Sequence, residues 1–171
     1  MNFQQFLIEK RACQDAQNWA KGRTIEQAID ECHRGDWLLW LAEELGVEKR
    51  LLVGTAGHCA NTVRHLMQDE RSRNCVDVCL AYGKGEATDE ELTKAAARAA
   101  YRAFDADAAA DEAAARAADV VADAAAAWAA RAARAAAADE AETKNQHQTA
   151  EICRKHLKEA MIEKWNQIQK L

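Results

Sequence analysis

Apolar positions recur at helical spacing along nearly the whole chain. Phe3, Phe6 and Leu7 open a stripe that Ala12, Ala16, Trp19 and Ala20 continue, and Gly22 is placed to end that helix. Thr24 and Gln27 have the spacing of a capping box, with Ile25, Ala28, Ile29 and Cys32 on one face behind it. Gly35 breaks the pattern, and Asp36 is placed to cap the next helix through its carboxylate. That helix runs from Trp37 to Leu45 and stops at Gly46. It is apolar almost all round at its start, as a helix buried on more than one side is. Leu52, Ala56, Cys59, Val63 and Met67 then mark a single face. Gly54 and Gly57 lie in the same stretch, each costing about 1 kcal/mol relative to alanine, so a close helix–helix approach is expected there. Cys75, Cys79 and Tyr82 mark one more helix before Gly83-Lys84-Gly85.

Beyond residue 86 there is neither glycine nor proline. Thr88 and Glu91 predict a reciprocal capping box, and three acids in that first turn suit the positive end of a helix dipole. Of the 47 residues from Ala95 to Ala141, 29 are alanine, so the tract reads as helix; low-complexity disorder would be rich in proline, serine and glycine. A single straight helix from 87 to the end would span roughly 130 Å at 1.5 Å per residue and leave Val120, Val121 and Trp128 in water. At least one fold-back is therefore expected, with Asp105-Ala106-Asp107 and Glu142-Thr143-Lys144-Asn145-Gln146 (Thr149 capping the restart) as the candidate breaks and one long bent helix through either site as the alternative. Cys153, Leu157, Met161, Trp165 and Ile168 form the inner face of a last amphipathic helix, with Arg154, Lys155, Lys158 and Lys164 elsewhere on it. The predicted architecture is all-α: one domain over 1–171, in which short helices of 1–86 pack against long alanine-rich helices of 87–171.

Composition sharpens this picture. Alanine supplies much of the apolar content, so the five tryptophans Trp19, Trp37, Trp40, Trp128 and Trp165 carry an unusual share of the packing. A net charge of −5 argues against general nucleic-acid binding and leaves room for a basic protein partner. The start Met1-Asn2-Phe3-Gln4-Gln5 lacks the pattern of a secretory signal, and no stretch approaches the roughly 20 apolar residues of a membrane span. The six scattered cysteines then read as reduced thiols of a cytoplasmic protein.

Four constellations bear on chemistry. Cys75 and Cys79 at i,i+4, Cys153 and His156 at i,i+3, and His58, Cys59 and His65 on a shared helix are the metal candidates; none has the paired knuckle of a zinc site, and the thiols read as core residues. Cys59 with His33, His65 or His156 is a conceivable nucleophile–base pair, but no orienting third group is marked. Gly54-Thr55-Ala56-Gly57 lacks the lysine and preceding strand of a phosphate loop. The fourth is acidic: Asp105, Asp107, Asp111, Glu112, Asp119 and Asp123, with Arg116 the positive residue among them. As a solvated face it keeps an alanine helix soluble; as a functional face it meets a basic partner by charge complementarity. No cofactor, metal or catalytic residue is assigned.

The run from Cys32 to Ala42, with its Gly35-Asp36-Trp37-Leu38-Leu39-Trp40 core, resembles the signature of a family of proposed bacterial immunity proteins. The likeness extends to the tryptophan-bearing helix upstream (Ala12 to Trp19), the aspartate-punctuated alanine tract and the segment Gln148 to Arg154. Relatives fill that tract with alanine–tyrosine repeats, whereas here Tyr101 stands nearly alone. The resemblance implies a helical protein that neutralises a toxin, with members in bacteria and phages. Within the motif, Asp36 is read as the cap, Gly35 as the turn, and Trp37 and Trp40 as core anchors in preference to partner contacts.

The functional expectation is a non-enzymatic immunity or inhibitor protein that binds and blocks a protein effector through the acidic helix. A phage counter-defence factor, such as an anti-CRISPR inhibitor, is the alternative from the same scaffold. A thiol- or metal-dependent enzyme is the third reading. The alanine faces also leave room for a homodimer.

Overall fold

The computed structural model describes residues 1–100 and 139–170. Every element among them is helical: α1 (Phe3–Glu9), α2 (Gln14–Trp19), α3 (Ile25–Glu31), α4 (Gly35–Glu44), α5 (Lys49–Asn61), a 3-10 turn (Arg64–Leu66), α6 (Glu70–Lys84), α7 (Asp89–Ala100) and α8 (Asp139–Ile168). The protein is thus an all-α, multi-helix bundle. None of the described helices is long and apolar enough to cross a membrane.

The first stripe forms two helices where one was expected. α1 closes at Lys10; Arg11 takes the left-handed conformation (φ 59°), Arg11 N–H bonds the Ile8 carbonyl and Ala12 N–H bonds the Leu7 carbonyl. This is a Schellman motif with arginine in the place glycine usually holds. Ala12 and Leu7, its flanking pair, are both buried. The capping boxes at Thr24–Gln27 and Thr88–Glu91 form as predicted.

α5 and α6 cross at their glycines. A Cβ on Gly54 would lie 2.8 Å from the Gly83 Cα, and one on Gly57 would lie 2.8 Å from the Cys79 Cβ. The expected close approach is therefore present. α6 runs through Gly83, and Gly85 (φ 82°) ends it. α5 itself stops at Asn61, so Val63 and Met67 reach the core from the chain around the 3-10 turn, and His65 does not share a helix with His58. α7 is tied to this pair through Asp89, whose carboxylate accepts from Lys49 Nζ (2.7 Å) and from the Tyr82 hydroxyl (3.0 Å). Ala95, Ala96 and Ala99 on α7 are buried.

α8 packs on α4 and α5 and reaches α3. It is continuous from Asp139 to Ile168, so the predicted break at Glu142–Gln146 is absent and Thr149 caps nothing; its hydroxyl bonds back to the Gln146 carbonyl (3.0 Å). The polar residues in this stretch make tertiary contacts. Thr149 is packed against Gly35, and Asn145 Nδ2 donates to Thr62 Oγ1 (2.9 Å). The predicted inner face is correct: Cys153, Leu157, Met161 and Trp165 are buried, and Trp165 meets Phe3 and Phe6 edge-on. Arg154 departs from the expected outer position. Its guanidinium donates to the Ile29 carbonyl (3.3 Å) and to the Cys32 carbonyl, filling acceptors left open at the end of α3.

Candidate functional site

The motif around residue 35 is built differently from its sequence reading. Arg34 is the N-cap of α4, without a side-chain cap bond, and Gly35 and Asp36 already belong to the first turn. The Asp36 carboxylate pairs with the Arg34 guanidinium, with Nε–Oδ1 at 2.8 Å. Asp36 still sits at the positive end of the helix, but it does not cap it. Gly35 serves close packing: a Cβ there would come within 2.4 Å of Thr149 Oγ1.

The tryptophans of the motif are also not interior anchors. Leu38, Leu39, Leu41 and Ala42 fill the core, while Trp37 and Trp40 are half-buried and pack against its edge. Trp19 from α2 joins them, half-buried too, with its ring 6.1 Å from that of Trp37. These three rings line a small apolar cleft of about 40 Å³, floored by Phe3, Leu7 and Leu38. An apolar space of that size admits the end of one aliphatic side chain and does not hold water well.

Guanidinium groups lie over two of the rings. Arg23 stands 4.4 Å from the Trp19 ring and donates to the Trp19 carbonyl; Arg34 stands 4.9 Å from the Trp37 ring. Each already has a carboxylate, Glu31 for Arg23 (2.8 Å) and Asp36 for Arg34. The face is therefore aromatic and close to neutral, with its arginines held in place before any partner arrives. His33 meets Trp19 edge-on at 6.5 Å and stacks on His147 of α8 at 5.5 Å. Burial, then His147 and Arg34, hold the His33 imidazole below its ordinary pKa.

Sequence reasoning missed the arginines, although a signal existed. Each arginine lies within four residues of its tryptophan, Arg23 after Trp19 and Arg34 before Trp37, close enough in the chain to meet it across a helix end. The acidic candidates Asp105, Asp107, Asp111, Glu112, Asp119 and Asp123 lie outside the described residues, as do Trp128 and the break expected at Asp105–Asp107.

The thiols are placed as core residues. Cys13 is exposed and the other five are buried, all six free. Cys59 Sγ lies 3.9 Å from Cys153 Sγ and 3.9 Å from the Thr149 carbonyl, while the imidazole of His156 stacks on His58. Burial pushes the Cys32 thiol up to about 11 and raises Cys153; the hydrogen bond with Cys75, then burial, raises Cys79. Such thiols are protonated at neutral pH, the form that neither attacks nor ligates. Among the described residues no group of three or more His, Cys, Asp or Glu side chains is arranged to hold a metal ion. A second, wider groove of about 370 Å³ lies between α6 and α7, lined by mixed charges including Asp77, Glu91, Lys94 and Arg98.

Comparison with known protein families, curated proteins and solved structures finds no match to this chain.

Proposed function

We propose that this protein is a non-catalytic inhibitor of the immunity type, which binds a protein effector and blocks it. The observation that carries the reading is the half-exposed face of Trp19, Trp37 and Trp40 with Arg23 and Arg34 laid over it. Tryptophan and arginine dominate the energetic centres of protein interfaces; tryptophan buries a large area with two rotatable bonds to freeze, and here the arginines are already held over the rings. Here the rings stand on short helices fixed to the core, so little ordering remains to oppose binding. The resemblance of residues 32–42 to the immunity family falls on this same face.

The test is co-expression with each candidate effector drawn from the neighbouring genes, read as rescue of growth and as affinity. Trp19→Ala and Trp40→Ala are each expected to weaken binding about tenfold or more, with helicity by circular dichroism retained. Unchanged affinity in both folded variants removes the face from the interface. The acidic residues are the candidate for a second contact with a basic effector, and charge reversal at Asp119 and Asp123 tests them separately.

A further inference from the structure

α8 carries two histidines, and each stacks on a histidine from another part of the chain. His147 lies on His33, with ring centroids 5.5 Å apart; His156 lies on His58 of α5 at 4.7 Å, their planes only 12° apart. The two pairs differ in their surroundings. His33 is also held low, by burial first, but it faces Asp36 as well as Arg34, and His147 stands near Glu151, so carboxylates are at hand to offset a positive charge. Among the described residues, the charged side chains that act on His58 and His156 are Lys155 on α8 and Lys84 at the end of α6, both cations. His58 and His156 are both half-buried. Two near-parallel rings at this separation are stable neighbours while neutral, and two imidazolium charges there would repel, with no carboxylate among the described residues acting on them.

We propose that the His58–His156 stack is a proton-operated contact, which holds α8 against α5 when neutral and pushes the two helices apart when protonated. The consequence spreads through what α8 holds. Thr149 packs on Gly35, Cys153 Sγ donates to the Gly35 carbonyl at 3.5 Å, and Arg154 caps α3. Loosening α8 therefore loosens the support of α3 and of α4, and α4 carries Trp37 and Trp40 of the tryptophan face. The switch itself does not depend on the proposed binding role of that face.

The sign follows from linkage. Burial first, then neighbouring charge, holds both imidazoles below their ordinary value of 6.5. As the pH falls below that value the unfolded chain takes up protons before the folded one does. The contact's contribution is thus complete above about pH 6.5 and is lost as the pH falls through the lowered folded values. The carboxylates held low by hydrogen bonds and ion pairs, Asp89, Glu91 and Glu151, titrate in a separate, more acidic window.

The experiment uses the full chain. Imidazole proton resonances are titrated by NMR, and urea unfolding is measured at about pH 7.5 and about pH 5.0 for wild type, His156→Gln, His58→Gln and the control His147→Gln. Both His58 and His156 are expected to titrate below 6.5 and to influence each other. Wild type is expected to lose about tenfold in folding equilibrium constant, between the two conditions, for each unit by which a folded pKa lies below the unfolded one. His156→Gln and His58→Gln are expected to flatten that loss several-fold, and His147→Gln to leave most of it. Titration of both histidines at or above 6.5, or a loss as steep in the two variants as in wild type, overturns the proposal; so does an equal flattening by His147→Gln. Where a glutamine variant does not fold, the NMR titration of wild type decides.

Discussion

Gly35 is held to glycine by a neighbour more than 100 residues away in the chain. Thr149 on α8 occupies the space a side chain would need, with its Cβ at 2.6 Å and its carbonyl carbon at 2.8 Å from the position of an added Cβ. Two of these atoms cannot rotate away, so Gly35→Ala is expected to destabilise the fold by about 1–3 kcal/mol in urea denaturation. Arg11 offers the reverse case. It holds φ 59°, a conformation that opposes any residue with a Cβ. Arg11→Gly is therefore expected to stabilise the protein by about 1 kcal/mol, seen as a rise in Tm; a fall would mean that the arginine side chain contributes more than its backbone costs. At this scale, capping boxes are legible because both partners lie within one turn. The break at Arg11 was not, because the residue that usually announces a Schellman motif is missing. Asp36 was misread because a carboxylate near a helix start has two possible local partners, the backbone N–H groups and a flanking arginine, and Arg34 is the one it meets.

Among the described elements, α5 and α6 bring their backbones close together where glycine faces glycine. The Cβ that Gly54 lacks would touch Gly83, and the one Gly83 lacks would touch Gly54 at 2.7 Å. Gly54→Ala and Gly83→Ala should each separate the helices and cost about 1–3 kcal/mol. Because the two sites share one contact, the double substitution is expected to differ from the sum of the singles; strict additivity would mean that the helices do not meet there. Glycine spacing made this crossing visible in the sequence, though not which helix lay opposite. The continuity of α8 was not visible. Its polar stretch from Glu142 to Thr149 has the composition of a helix boundary, and Asn145 and Thr149 prove to be polar groups that face other helices. Local pattern cannot separate those two uses of the same residues.

For the molecule as a whole, helical periodicity and the confinement of glycine to the first 86 residues were enough to give an all-α bundle. They did not reveal how α8 lies across α3, α4 and α5, since that depends on contacts between distant segments. It is this packing that leaves Trp19, Trp37 and Trp40 at the edge of the core, where sequence alone had placed the motif tryptophans inside. The net charge of −5 favours a basic effector, while the tryptophan face itself is close to neutral, so the face should govern dissociation and the overall charge should govern the salt dependence of association. Hydrogen exchange on the chain, alone and saturated with an effector whose toxicity it relieves, tests the central claim most directly. A tryptophan face that binds predicts slowed exchange across α2 and the first half of α4, with α6 unchanged; protection confined to α6 and α7, or none at saturation, would contradict it.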